Sequence, residues 1–257
     1  MGPIKLAVIG AGRRTCDTYC RLLPALGEFF EVVAVCDPVA EAAGAAAERF
    51  GVPAFAGVRD LVKAGVAEAA LIATPPETHH AVSVFLSRAG MHHVCETPMA
   101  VTAGLCRQMI GAAGSAAVVL HVNEQFFRLP LIAFCRRPID AGVIGAVGRV
   151  TYFHGHTGYH NNSVWQHFGG GAPSAVNTVT APEFTAAQAV LSAEMESAFA
   201  LSAERDGQRV ALPTDAESES DRATLAAFRR RFGVDPTDID AMIDVGVPSD
   251  YMPEART

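Results

Sequence analysis

The feature that most constrains this chain is a glycine pair set between a strand and a helix. Residues 4–9, Ile-Lys-Leu-Ala-Val-Ile, form a short apolar run that stops at Gly10-Ala11-Gly12. A helix-compatible stretch comes next, with Cys16, Tyr19, Leu22 and Leu23 at three- and four-residue spacing. The same alternation continues along the chain. Apolar runs at 31–36, 69–73, 93–95 and 117–122 predict strands, and the first three are stopped by Asp37-Pro38, Thr74-Pro75-Pro76 and Glu96-Thr97-Pro98. Stretches at 39–49, 58–65, 78–89 and 101–112 predict the helices between them. Short buried strands separated by helices are βαβ units, hence an α/β fold with a doubly wound parallel sheet, both faces covered.

The pattern changes after about residue 125. Residues 131–141 predict a helix ended by Gly142, and 149–154 a strand. Residues 155–180 are rich in Gly, His, Asn and Thr with weak periodicity, 186–203 predict a helix, and 209–213 a short strand or turn. The acidic stretch 214–221 leads into a helix at 222–232, and Asp235-Pro236 opens one more short helix. The 257 residues, set against about 150 per domain, allow two units. The expected division is a doubly wound α/β domain over 1–122 and a reduced α+β second domain over 123–257.

Composition excludes several classes of partner. With 20 basic and 27 acidic residues the net charge is −7, which disfavours nucleic acid, since phosphate backbones call for basic clusters. The basic run Arg229-Arg230-Arg231 is flanked by Phe228 and Phe232 and suits the solvated face of a helix. No stretch approaches the roughly 20 apolar residues of a membrane span, and no signal peptide precedes the first strand, so a cytoplasmic protein is expected. The six cysteines form no Cys-x-x-Cys pair and read as reduced, with neither a disulfide framework nor a zinc site. Only Lys5 and Lys63 are lysines, which leaves few candidates for lysine chemistry.

The turn itself points to a ligand. Gly10 and Gly12 let backbone approach a pyrophosphate, and the helix after them supplies N–H donors and the positive end of its dipole. Thr15 stands where a third glycine is usual. Asp37, 22 residues past Thr15 at the end of the second strand, can accept from an adenosine ribose and would repel a 2′-phosphate, which favours NAD over NADP. Arg13 and Arg14 argue the other way. The alternative is a tight βα turn with no ligand.

Two further segments, Ala73-Thr74-Pro75-Pro76-Glu77-Thr78-His79-His80 and Ala89-Gly90-Met91-His92-His93-Val94-Cys95-Glu96-Thr97-Pro98, lie at the carboxyl ends of predicted parallel strands. With these the chain resembles the glucose–fructose oxidoreductase, inositol dehydrogenase and rhizopine-catabolism (Gfo/Idh/MocA) family. The matching positions are Gly10, Gly12, Asp37, Thr74, Pro75, His79, Ala89, Gly90, His92, Glu96 and Pro98. Asn123-Glu124-Gln125 and 142–150 resemble the crossover into the family's second domain, and the likeness runs over 4–213 with one gap. The resemblance implies a Rossmann domain and a nicotinamide cofactor, NAD or NADP. It places Gly10, Gly12, Arg13, Arg14, Asp37, Thr74, Pro75, His79 and Glu96 along the cofactor, and it implies a small hydroxylated or carbonyl substrate.

The chain is a divergent and shortened relative. Thr97 occupies the place of the lysine that the family uses to move the hydroxyl proton during hydride transfer. A threonine cannot carry that proton near neutral pH, though its hydroxyl can orient a substrate oxygen or a water. The Asp and His that come after the family's Gly-Gly run have no counterpart after Gly169-Gly170-Gly171. Most of the family's second-domain sheet is missing, and since that sheet carries its oligomer contacts, a dimer or monomer is expected. Five of the nine histidines lie between 121 and 167, and His154, His156 and His160 are the replacement proton carriers to consider. They are alternatively ordinary loop histidines or, with a third ligand, part of a metal site. Three functions stay open: an oxidoreductase, a non-redox nucleotide binder such as a pseudoenzyme, lyase or cyclase, and an interaction subunit that pairs with an active homologue.

Overall fold

The computed structural model describes residues 2–125, 128–143 and 217–245, together with positions 190, 193, 194, 198, 201, 204, 205 and 210. Six parallel strands form a sheet: β1 (Ile4–Ile9), β2 (Phe30–Cys36), β3 (Ala54–Phe55), β4 (Ala69–Ile72), β5 (His92–Cys95) and β6 (Leu120–Val122). Their order is β3-β2-β1-β4-β5-β6. A wide π-wound turn, Thr15–Tyr19, runs into α1 (Cys20–Ala25). After it come α2 (Ala40–Phe50), α3 (Val58–Ala64), α4 (Pro76–Arg88), α5 (Ala103–Ser115) and α6 (Pro130–Asp140). Near the C-terminal end lie α7 (Glu219–Phe232) and α8 (Ile239–Val245). The predicted doubly wound α/β fold is therefore the observed one.

Alternation along the strands builds the two sides of the sheet. Ala7, Ile9, Ala34, Cys36, Ala70 and Ile72 belong to one hydrophobic cluster. Their neighbours Leu6, Val8, Val35, Leu71 and Ala73 belong to another. Successive side chains on a strand point to opposite faces, so the clusters are the sheet's two faces. Tyr19 and Leu23 with Ala46 and Ala47 of α2 cover the second face. Residues of α4, α5, α7 and α8 cover the first, where Ile72, Leu61 and Leu86 are fully buried at about 1.5–3 kcal/mol each.

The C-terminal helices return to this core. Leu225, Phe228 and Phe232 of α7 and Ile239 and Met242 of α8 join the same cluster as Ala81 and Val82 of α4. Ser218 opens α7 with a reciprocal capping box, its hydroxyl accepting from the Asp221 amide at 2.9 Å. Phe228 and Phe232 stack at 4.4 Å, one turn apart, and Arg229, Arg230 and Arg231 face solvent as the sequence pattern predicts. Residues that the sequence assigns to a second domain thus supply core to the first.

Several elements depart from expectation. Helix α4 begins at Pro76 rather than 78, because proline's fixed φ and missing N–H suit the first helical position. Strand β3 has two residues, too few to show a period. Helix α8 begins at Ile239 rather than Asp235, whose carboxylate instead accepts from the Thr237 amide and hydroxyl at 2.9 and 2.6 Å and shapes a turn ahead of the helix. The predicted strand at 149–154 lies outside the described residues, as does most of 186–203 and 209–213. No helix among the described residues is long and apolar enough to cross a membrane.

Candidate cofactor cleft

Parallel strands end together, so the residues just past their carboxyl ends share one edge of the sheet. Gly10 comes after β1, Asp37 after β2, Ala73-Thr74 after β4, Glu96 after β5 and Asn123 after β6. The strand order reverses between β1 and β4, which opens a crevice at this edge.

At the β1 end, sterics dictate the sequence. Gly10 has φ +95°, and a Cβ there would lie 2.6 Å from the Ala73 carbonyl oxygen, so only glycine lets β1 and the β4 loop come this close. Gly12 differs. A Cβ there would meet nothing within 4 Å among the described residues, so none of them needs the position to lack a side chain. Thr15, in place of a third glycine, is fully buried and donates its hydroxyl to the Gly10 carbonyl at 2.5 Å, which holds helix to turn.

Asp37 braces the turn from the neighbouring strand. One carboxylate oxygen accepts from the Ala11 amide at 2.7 Å and the other from the Val39 amide at 2.9 Å. Each oxygen keeps a lone pair for a further donor. Arg13 is mostly exposed and pairs with Asp17 at 3.0 Å, on the outer side of its helix turn. Thr74 and Pro75 lie at the start of α4, where Thr74 Oγ1 accepts from Thr78 Oγ1 at 2.8 Å.

At the β5 end the contacts are between side chains. Glu96 is 7% exposed and accepts from four donors. Arg14 Nε reaches it at 3.0 Å, Asn123 Nδ2 at 3.2 Å, the Thr97 amide at 3.3 Å, and the Tyr19 hydroxyl completes the set. Asn123 Nδ2 also donates to the Tyr19 hydroxyl at 2.7 Å. Burial, and after it the Glu96 charge, pushes the Tyr19 phenol above its usual range, so Tyr19 keeps its proton. Arg14 is thus committed to Glu96 rather than held free in the turn. Thr97 is half-buried beside this cluster.

His79 is fully enclosed, with its ring nitrogens 2.9 Å from the Pro98 carbonyl oxygen and 2.8 Å from that of Thr74. It ties the loop after β4 to the loop after β5. Burial holds its pKa below the ordinary histidine value, against the pull of the two carbonyls. His93 is likewise enclosed, by Ser83 Oγ at 2.7 Å and the Met91 carbonyl at 3.1 Å. Lys5 sits at the opposite end of β1 and Lys63 in the last turn of α3, so neither reaches the crevice edge. His154, His156 and His160 lie outside the described residues.

The structure therefore brings Gly10, Gly12, Asp37, Thr74, Pro75, Glu96 and Thr97 to one edge, with His79 behind it as a brace. Sequence reasoning missed Tyr19 and Asn123. Tyr19 looked like one residue of an apolar helical stripe, and Asn123 like part of a crossover; no spacing links either to Glu96.

A model of an oxidoreductase family's NAD-binding Rossmann fold, GFO_IDH_MocA, matches residues 4–124. D-apiose dehydrogenase of Paraburkholderia graminis is 31% identical over 125 residues, which cover 48% of this chain and 33% of the relative. Inositol 2-dehydrogenase of Salmonella typhimurium is 28% identical over 197 residues, covering 73% and 50%. Among solved structures, the WlbA dehydrogenase of Bordetella pertussis in complex with NADH and UDP-GlcNAcA is 29% identical at a TM-score of 0.54, covering 56% of this chain and 41% of that one. The chain spans between 33% and 50% of the length of these two curated relatives.

Proposed function

We propose, from the match of residues 4–124 to a model of an oxidoreductase family's NAD-binding Rossmann fold, that this chain is of the Gfo/Idh/MocA type, binds a nicotinamide dinucleotide along its crevice edge and acts as an oxidoreductase on a small hydroxylated or carbonyl compound. The observation that carries the reading is the contrast between the two glycines. Packing against Ala73 requires Gly10, whereas Gly12 leaves a space that no atom of the described residues fills. A backbone cradle at a helix start, open where a side chain would sit, fits a pyrophosphate. When bound, the nicotinamide would supply a hydride acceptor or donor.

The residues then divide the work. The amides around Gly12 receive the pyrophosphate, and Asp37 offers its remaining lone pairs to ribose hydroxyls, which favours NAD over NADP. Thr74 and Pro75 border the ribose and nicotinamide portion, held in place by His79. The Glu96 cluster fixes the floor of the nicotinamide end, and the Thr97 hydroxyl orients a substrate oxygen. Proton transfer falls to His154, His156 or His160. A Rossmann domain over 1–122, a shortened α+β portion over 123–257, a cytoplasmic site of action and at most a dimer go with this reading.

One observation favours a second reading, a non-redox nucleotide binder. Thr97 cannot carry the proton, and the adjacent carboxylate already accepts from four donors. Fluorescence titration with NADH and NADPH, and then a screen of polyols and sugars at the nicotinamide absorbance band, separates the two. Binding with turnover that alanine at one of the three histidines abolishes supports the oxidoreductase. Tight binding with no turnover across the screen supports the second reading, and no binding of either nucleotide overturns both.

A further inference from the structure

A cavity of about 330 Å³ opens beside the glycine turn, at the lower end of the size range of ligand pockets. Its inner wall comes from the carboxyl ends of β1 and β2, with Ile9, Cys36 and Pro38, and from Thr78 and Val82 on the first turns of α4. Its outer wall is unexpected: Met242, Ile243, Asp244 and Val245, four consecutive residues of α8. These lie beyond residue 213, where the family likeness ends.

The order of groups along the edge says what the cavity takes. Asp37 sits between Cys36 and Pro38, both of which line it, and Gly12 lies on the turn that Asp37 braces. Pyrophosphate at Gly12 and ribose at Asp37 direct the base of the same nucleotide into this space. We infer that α8 is the outer wall of an adenine subsite, so that a segment about 230 residues from the glycine turn sets nucleotide affinity and selectivity. The inference rests on the cofactor reading above and adds α8 to it.

Helix α8 is seated independently of any ligand. Met242 is 2% exposed within the core, and His80 Nδ1 lies 3.0 Å from the Pro236 carbonyl oxygen in the turn before the helix. Arg59, at the start of α3 and also lining the cavity, pairs with both Asp240 and Asp244 at 2.7 Å. These pairs are exposed and hold little free energy, but they engage the guanidinium. A cation that could meet a 2′-phosphate is thus occupied by two carboxylates of α8, and Asp60 adds a further acidic group to the lining. The wall therefore selects an unphosphorylated adenosine ribose.

The test uses the full chain, ADP-ribose and NADPH. Hydrogen exchange of wild-type protein should show residues 239–245 gaining protection when ADP-ribose binds. Ile243→Asn, at a half-buried position that also packs against the core, should lower the thermal midpoint modestly and weaken ADP-ribose on the order of tenfold at a temperature where the variant stays folded. The double variant Asp240→Asn/Asp244→Asn, at exposed positions, should tighten NADPH several-fold relative to NADH by freeing Arg59. Wild-type protein that binds neither NADH nor ADP-ribose overturns the cofactor reading and this inference with it. Wild-type protein that binds both, with unchanged exchange at 239–245 and unchanged ADP-ribose affinity in Ile243→Asn, overturns the wall alone.

Discussion

The two ends of the crevice edge are built by opposite means. Around Gly10 and Gly12 the chain offers backbone: amide groups, a turn that only glycine can make against Ala73, and an open space. Around Glu96 it offers side chains tied to one another, with Arg14, Tyr19, Asn123 and the Thr97 amide converging on one buried carboxylate. In the first arrangement the Gly10 and Ala11 amides are bonded to Cys36 and Asp37, and the open side at Gly12 is what a ligand could use. The second satisfies its own polar groups, and a satisfied buried network specifies a shape more than it offers chemistry. In the proposed reading, binding and structure are thus separated along one sheet edge.

The sharpest way to break this contrast is inside the glycine pair. Gly10→Ala places a Cβ 2.6 Å from a backbone carbonyl at a φ of +95°, so a loss of about 3 kcal/mol or more, or failure to fold, is expected in urea denaturation. A stability loss near zero would mean that the close approach of β1 and the β4 loop is not needed.

At the other end, Glu96→Gln keeps the shape and removes the charge that Arg14 and Tyr19 meet. About 1–3 kcal/mol of stability should be lost, with NADH affinity changing less than stability does. The reverse order, a stable variant that no longer binds, would make Glu96 a ligand group rather than part of the floor.

Buried histidines bear on the structural end as well. Burial lowers the pKa of His79, His80 and His93 from the ordinary 6.5. The unfolded chain therefore takes up protons first as pH falls. Stability should be flat above about pH 7 and decline below about 6.5, by up to about 1.4 kcal/mol per pH unit for each histidine. Thermal midpoints between pH 7.5 and 5 check this, and a midpoint that rises on acidification would show that these imidazoles are charged in the fold.

Asp37 joins the two modes, since it braces backbone and, in the proposed reading, faces the ribose. Asp37→Ser should move preference toward NADPH by a modest factor and cost about 1 kcal/mol through the Ala11 and Val39 amides. Paired NADH and NADPH titrations read the first effect, and unchanged preference would leave Asp37 a brace only.

The same contrast explains what the sequence makes legible. Strand, turn and helix at 4–25 are dictated by local rules, because glycine, the apolar period and the stop at Asp37 act within a few residues of themselves. The contacts of Tyr19 and Asn123 with Glu96, and of α8 with the cavity, could not be read, because they span about 80, 30 and 230 residues and no period encodes them. The Thr97 substitution is legible as a departure, but its consequence depends on neighbours that only the fold brings together.

The most direct measurement is NADH titration of Gly12→Ala beside its urea denaturation midpoint. The added methyl meets nothing within 4 Å among the described residues, so the midpoint should match wild type within about 1 kcal/mol. Affinity for NADH should fall at least tenfold, because the methyl occupies the space left for the pyrophosphate. A variant that binds NADH as tightly as wild type at unchanged stability would contradict the claim that this turn is a nucleotide cradle.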